Sequence, residues 1–149
     1  MDLYAENILD HYRHPRHKKP ATRHPPFDSV HSRQPETIVH TEANLSCGDE
    51  ISISLNIKDD RITEIFWDGT GCAISQAAMS MLSEELHGKT MTEIEALTPQ
   101  NIYDSLGVPI GPRRAKCALL GLLTLKNTLR THKGVDHVSW ARLIALHNH

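Results

Sequence analysis

Residues 37–69 read TIVHTEANLSCGDEISISLNIKDDRITEIFWDG, and this stretch decides the fold. It is rich in β-branched residues, and apolar and polar residues alternate along it, which predicts half-buried strands. We expect strands over residues 37–43, 50–58 and 61–69, with the turn KDDR joining the last two as a hairpin. One face of the middle strand is apolar along its whole length: Ile51, Ile53, Leu55 and Ile57.

Three consecutive strands with short links predict an antiparallel meander whose apolar face needs a layer of helices. The segments outside the strands supply helical patterns at residues 2–13, 72–88, 92–97, 99–106, 114–131 and 135–148. Gly88 is a stop signal for the second of these, and Thr92 with Glu95 forms a possible capping box for the third. We therefore expect an α+β fold, a three-stranded antiparallel sheet with a helical layer packed on one face.

The chain has 149 residues, of which 39% are hydrophobic and 23% charged, and this suits one compact domain over residues 1–149. Residues 14–36 contain five prolines among histidines and basic residues, so we expect a flexible arm without regular structure there. Six of the eleven histidines lie in the first 40 residues, but prolines interrupt them. We interpret this tract as a solvated surface segment rather than a metal site.

Composition also excludes some classes of function. A net charge of -2 gives no electrostatic footprint for nucleic acid. The longest apolar stretch, residues 117–125, is too short to cross a bilayer, and the first residues lack the pattern of a signal peptide. We therefore expect a cytoplasmic chain with no nucleic-acid or membrane partner. Three cysteines in a reducing compartment favour free thiols, metal ligands or reactive thiolates over disulfides.

The three cysteines lie near the ends of predicted elements. Cys47 is in the turn between two strands and is followed by Gly48, which permits unusual backbone conformations. Cys72 precedes a helix, where the helix dipole favours thiolate. Cys117 follows Lys116 in a basic stretch, which we also expect to favour thiolate.

Thiols at element ends around one edge of a small sheet could converge on a metal, and Asp49 would supply a fourth, harder ligand. A Cys3Asp set suits tetrahedral Zn2+. It also suits a [2Fe-2S] cluster, held more labilely because one ligand is oxygen. The spacing contains no C-x-x-C, so spacing alone leaves metal binding and unrelated buried thiols as equal alternatives.

The local sequences around the cysteines favour metal binding over unrelated buried thiols. With NLSCGDE at 44–50, GTGCAIS at 69–75 and RRAKCALL at 113–120, the chain resembles the iron-sulfur cluster assembly scaffold family of the IscU/SufU and NifU N-terminal domain type. The resemblance runs from about Tyr4 to Leu129. It includes ILDHYRHPRH near the N-terminus, the FWDGTGCAIS run with one extra residue before its first glycine, and the HGK that ends a helix.

The resemblance implies that Cys47, Cys72 and Cys117 are thiolate ligands, and that Asp49 is the residue whose replacement typically traps a labile cluster. It implies a scaffold on which a transient [2Fe-2S] cluster forms from iron and the sulfur of a cysteine desulfurase, and passes to acceptor or carrier proteins. A carboxylate binds softer metals less tightly than thiolate does, which agrees with a site that releases its cluster.

An alternative function follows from the residues before the third cysteine. The R-x-K-C pattern ending at Cys117 looks like the SufU subgroup, whose members hold zinc and accept persulfide sulfur from a cysteine desulfurase. Cys117 is then the candidate catalytic sulfur acceptor, and Zn2+ the bound metal. The 44 residues between Cys72 and Cys117 leave no room for the insertion that this subgroup carries. The stretch LGVPIGPRRAKC also differs from the chaperone-docking L-P-P-V-K segment of the other subgroup, so the chain mixes both patterns.

Two further classes compete with these functions. A cysteine hydrolase would need a Cys-His pair, but no local protease signature is present. A purely structural zinc domain would normally use four Cys or His ligands rather than a carboxylate. Whether the chain is an enzyme therefore stays open between a scaffold and a sulfurtransferase partner, and we expect a monomer or weak homo-oligomer.

Overall fold

The structure, a computed structural model, describes residues 3–19 and 37–146. Its elements are α1 (Leu3–Arg13), β1 (Thr37–Asn44), β2 (Asp49–Lys58), β3 (Arg61–Thr70), α2 (Ala73–Glu84), α3 (Met91–Glu95), α4 (Pro99–Leu106), α5 (Pro112–Lys133) and α6 (Trp140–Ala145). The strands form one antiparallel sheet in the order β1-β2-β3, with helices packed against it. The predicted α+β fold is confirmed. No helix in these two ranges is long and apolar enough to cross a membrane.

The sheet buries the face that the alternating pattern predicts. All four apolar residues of β2 are at most 3% exposed. The register of β2 and β3 shifts between Asn56 and Ile57, and this irregularity resets which β3 residues point inward. Ile65 and Trp67 are consequently buried, whereas the apolar Phe66 between them is only partly buried. Trp67 takes its place in the core.

Helix α5 is the centre of the helical layer. Every residue from Cys117 to Leu129 is buried, as expected for a helix surrounded by the sheet and other helices. Its one buried cation, Lys126, donates hydrogen bonds to the backbone oxygens of Ile94 at 3.4 Å and Glu95 at 2.7 Å. Burial lowers the pKa of Lys126. The lysine thus fixes the end of α3 against α5.

Two short helices differ from their predictions. The capping box of α3 uses Thr90 and Glu93, two residues earlier than expected, because the sequence TMTEIE contains two matching spacings and the buried Met91 and Ile94 select the first. Helix α6 covers only six residues of the predicted 135–148 segment, and residues 147–148 lie outside the described residues. Its Leu143 is buried.

The beginning of the predicted arm packs along β3. The backbone N–H of Trp67 donates to the carbonyl of His17 at 3.1 Å, and the N–H of Lys19 donates to the carbonyl of Trp67 at 3.0 Å. The indole N–H of Trp67 also donates to the carbonyl of Arg16 at 2.7 Å. Residues 14–19 therefore follow the open edge of the sheet, and residues 20–36 of the arm lie outside the described residues.

Candidate metal centre

The turn between β1 and β2 presents the first cysteine. The backbone N–H groups of Cys47 and Gly48 both donate to the carbonyl of Asn44, at 3.2 and 2.9 Å. Gly48 has a φ of +78°, a conformation that glycine adopts without strain. The last pair of the β1–β2 ladder joins Asn44 to Asp49. The turn thus leaves Cys47 exposed and directs Asp49, only 4% exposed, toward the interior.

The second cysteine occupies the N-cap position of α2, as its sequence predicts. Its carbonyl accepts hydrogen bonds from the Ser75 hydroxyl at 3.0 Å and the Gln76 N–H at 3.1 Å. The preceding residue, Gly71, passes so close to Asp49 that a Cβ there would lie 2.6 Å from the carboxyl carbon. The loop that carries Cys72 is therefore packed directly on the Asp49 carboxyl group.

The third cysteine completes the centre from the second turn of α5. Sγ of Cys117 lies 3.9 Å from Sγ of Cys47. The ligand atoms of Cys47, Asp49 and Cys117 all lie within 4.8 Å of one another. The exposed Cys72 thiol is not one of these mutually close ligand atoms; it borders the group and acts electrostatically on Cys117. We call these four residues, Cys47, Asp49, Cys72 and Cys117, the thiol centre.

The electrostatics of Cys117 differ from the expectation for a basic stretch. Burial, followed by the neighbouring thiols of Cys72 and Cys47, raises the pKa of Cys117 to about 12. Lys116 is exposed, and its ammonium group lies 5.7 Å from the ring centroid of Trp140. The prediction that basic neighbours favour a Cys117 thiolate is therefore wrong for the metal-free protein, because desolvation outweighs these exposed charges.

The thiol centre fits a metal ion. Oδ2 of Asp49 is buried and, within residues 3–19 and 37–146, has no hydrogen-bond partner. A buried carboxylate oxygen without a partner is unfavourable unless a cation is supplied. Three thiols and one carboxylate match the number and type of ligands in a tetrahedral site. The residues of the thiol centre could therefore hold either zinc or the iron of a small cluster.

Sequence reasoning missed the residues that shape this centre. Gly71 belongs to the GTGCAIS motif, but the motif does not show that this glycine lies against Asp49 and positions it. Asn44 closes the Cys47 turn through its carbonyl, and its side chain accepts a hydrogen bond from the Ser46 hydroxyl at 2.8 Å. The preference of asparagine for turns could have indicated this role. Nothing in the spacing indicated the close approach of Gly71.

Comparison with known proteins identifies the family of this chain. The family model described as "NifU-like N terminal domain" matches residues 3–137. The chain belongs to the NifU-like N terminal domain family. Among its relatives is the iron-sulfur cluster assembly scaffold protein IscU of Thermotoga maritima, 30% identical over 63% of this chain and 78% of that protein.

Other members of the NifU-like family share most of the chain's length. The zinc-dependent sulfurtransferase SufU of Bacillus subtilis is 28% identical over 89% of this chain and 92% of its own length. A solved structure of a scaffold protein for the SUF system, from Fervidobacterium islandicum, superposes with a TM-score of 0.62 at 27% identity, covering 83% of this chain and 94% of that one. The family thus contains proteins named for both of the functions that the sequence left open.

Proposed function

We propose that this chain is a scaffold in iron-sulfur cluster biogenesis. A [2Fe-2S] cluster forms on Cys47, Cys72 and Cys117 from iron and desulfurase-derived sulfur, and then passes to an acceptor or carrier protein. The observation that carries the proposal is the approach of Cys47, Asp49 and Cys117 to within 4.8 Å, with a buried Asp49 oxygen lacking a partner. The relatives named as cluster scaffolds support it.

The arrangement of the thiol centre suits a cluster that must be released. Cys47 and Cys72 are exposed, so an acceptor protein can approach their sulfurs, while Cys117 and Asp49 hold the inner side. A [2Fe-2S] cluster is normally held by four cysteine thiolates. A carboxylate in one position binds iron of a cluster less tightly, which lowers the barrier to exchange. Asp49 therefore contributes lability, and the three cysteines contribute retention.

Anaerobic reconstitution tests the scaffold function. Untagged protein purified without air receives a cysteine desulfurase, cysteine and ferrous iron, and the absorption spectrum, iron and acid-labile sulfide are measured. We expect a chromophore with about two irons and two sulfides per site. A chain that keeps its thiols free and acquires no sulfide under these conditions would contradict the proposal.

A second candidate function is that of a zinc-dependent sulfur acceptor. It is supported by the coverage of the SufU relative and by Lys116 directly before Cys117. Zinc would supply Lewis acidity that keeps the coordinated thiols deprotonated. The Cys117 thiolate would attack the terminal sulfur of the desulfurase persulfide. The S–S bond of the desulfurase breaks, a new S–S bond forms on Cys117, and the electron pair leaves with the desulfurase thiolate.

One measurement separates the two functions. Protein loaded with one equivalent of zinc is mixed with desulfurase and cysteine, and sulfide production and the mass of the Cys117 peptide are followed. A sulfur acceptor accelerates the desulfurase several-fold and gains one sulfur atom on Cys117, without forming a cluster when iron is added. A scaffold shows little acceleration with zinc and forms a cluster once zinc is replaced by iron.

A further inference from the structure

A second group of metal-ligand side chains lies outside the thiol centre. His40 and Glu42 are two residues apart on β1, so they point to the same face of the sheet. Nε2 of His40 lies 2.7 Å from Oε2 of Glu42. His137, between α5 and α6, joins them, and the ligand atoms of the three residues all lie within 4.8 Å of one another. We call these three residues the imidazole cluster.

The loop that carries His137 is held in place by a buried side chain. Oδ1 of Asn127 accepts a hydrogen bond from the backbone N–H of Val138 at 2.6 Å, and Nδ2 of Asn127 donates to the Val138 carbonyl at 3.1 Å. The same Nδ2 donates to Oε2 of Glu42 at 2.9 Å. Asn127 therefore fixes the residue next to His137 and the carboxylate of Glu42 at the same time.

We propose that the imidazole cluster is a second site, selective for a divalent first-row transition metal such as Zn2+, Fe2+ or Co2+. Two imidazoles and one carboxylate are a ligand set that suits these ions. Ligands in metal sites are usually oriented by further hydrogen bonds. Asn127 does this for Glu42, and the Thr131 hydroxyl lies 2.9 Å from Nε2 of His137.

The geometry requires a small adjustment for a metal to enter. Two ligand atoms bound tetrahedrally at ~2.0 Å lie about 3.3 Å apart. The His40 and Glu42 ligand atoms, now 2.7 Å apart, would separate by about 0.6 Å when the metal replaces the proton between them, and the ligand atom of His137, within 4.8 Å of both, would adjust to the same spacing. Their side chains are 17% and 22% exposed, so water can complete the coordination. The hydrogen bond between His40 and Glu42 joins two of the three ligands, and the contacts of Asn127 and Thr131 hold the third, His137, next to them.

The second site is separate from the thiol centre. Cys117 and Asn127 are ten residues apart on α5, which corresponds to about 15 Å along the helix. One ion cannot bridge that distance. The proposal therefore does not rest on the scaffold function, and each can fail without the other.

The experiment removes the thiols and measures what remains. The full-length triple variant Cys47→Ser, Cys72→Ser, Cys117→Ser is titrated with Co2+ and Zn2+. We expect one equivalent of Co2+ with the weak visible bands of nitrogen and oxygen ligands and no thiolate charge-transfer band. Adding His137→Ala or Glu42→Gln should weaken binding at least tenfold, whereas His132→Ala, an exposed histidine in the same region, should leave it unchanged.

Thermal unfolding gives a second readout. Zinc should raise the melting temperature of the triple variant and of its His132→Ala form, but not of its His137→Ala form, because a bound metal stabilises only the folded state that holds it. If the triple variant does not fold, the experiment uses wild-type protein and its His137→Ala variant. We expect the wild-type protein to bind two equivalents of zinc and the variant to bind one. Equal binding by the His137→Ala and His132→Ala forms, or no binding by a folded triple variant, would overturn the proposal.

Discussion

The thiol centre and the imidazole cluster lie toward different ends of helix α5, yet they differ above all in how complete they are without a metal. In the thiol centre, Oδ2 of Asp49 is buried with no partner in the described residues. In the imidazole cluster, the Glu42 carboxylate already contacts His40 and Asn127. A cation supplies a missing interaction at the first site and must displace an existing one at the second.

This difference sets the order of affinities that we expect. The thiol centre combines soft ligands with a buried carboxylate, so it should bind zinc or cluster iron tightly. The imidazole cluster offers nitrogen and oxygen ligands that satisfy each other, so its metal should bind more weakly. Neighbouring positions on one framework can thus carry sites of different selectivity, determined by ligand type and by the hydrogen bonds present beforehand.

The largest expected effect comes from removing single thiols. Cys47→Ser, Cys72→Ser and Cys117→Ser should each weaken retention of zinc or cluster at the thiol centre by at least roughly a hundredfold, more than the loss of an outer-shell contact. Co2+ binding at the imidazole cluster should stay unchanged in each variant. Equilibrium dialysis followed by metal analysis measures both. Full retention by all three variants would show that the cysteines do not share a metal.

The next effect concerns the side chain that fixes the imidazole cluster. Asn127→Ala leaves the buried N–H and carbonyl of Val138 without their partner, which should lower the free energy of unfolding by about 2 kcal/mol. Metal binding at the imidazole cluster should be lost while the thiol centre still binds. Thr124→Val is the control, because among the described residues the Thr124 hydroxyl bonds only to the carbonyl of Leu120 in its own helix. The free energy of unfolding is measured with denaturant. Equal losses of it in both variants would contradict this role of Asn127.

A smaller effect tests the loop packing at the thiol centre. Gly71→Ala would place a Cβ 2.6 Å from Cγ of Asp49 and 2.7 Å from Oγ of Ser75, so the carboxylate must move. We expect metal affinity of the thiol centre to fall by about tenfold, as for other disturbed ligand orientations. Gly88→Ala is the matched control, since Gly88 also has a positive φ, at +83°, but a Cβ there meets no atom within 4 Å. Competition with a chromophoric chelator measures the affinity, and equal values for both variants would exclude the contact as a constraint.

The smallest effect is one of rate. Asp49→Ala removes the candidate oxygen ligand and, as the resemblance to cluster scaffolds implies, should lengthen the lifetime of a reconstituted cluster several-fold in a transfer assay to an apo acceptor. Glu50→Ala serves as the control, because its exposed carboxylate is adjacent in sequence but outside the thiol centre. An unchanged or shorter lifetime for Asp49→Ala would count against a role of Asp49 in cluster exchange. The carboxylates of the thiol centre and of the imidazole cluster would then not differ in this respect.

Much of the architecture could be predicted from the sequence. The alternation of Ile51, Ile53 and Leu55 placed β2 correctly because a strand with one buried face has a period of two. The burial of Trp67 instead of Phe66 could not be predicted, because it follows from the shifted register of β2 and β3. The capping of α3 was misplaced because two equivalent spacings compete, and only packing selects one.

The candidate sites divide in the same way. The sequence by itself determined which residue types stand at the candidate ligand positions Cys47, Asp49, Cys72 and Cys117, and their places near turns and helix starts, because local motifs encode turns and caps. Only the tertiary structure decided that Gly71 presses on Asp49, that burial raises the pKa of Cys117, and that His137 meets the imidazole of β1. These three facts depend on contacts between residues far apart in the chain, and short-range patterns carry no information about such contacts.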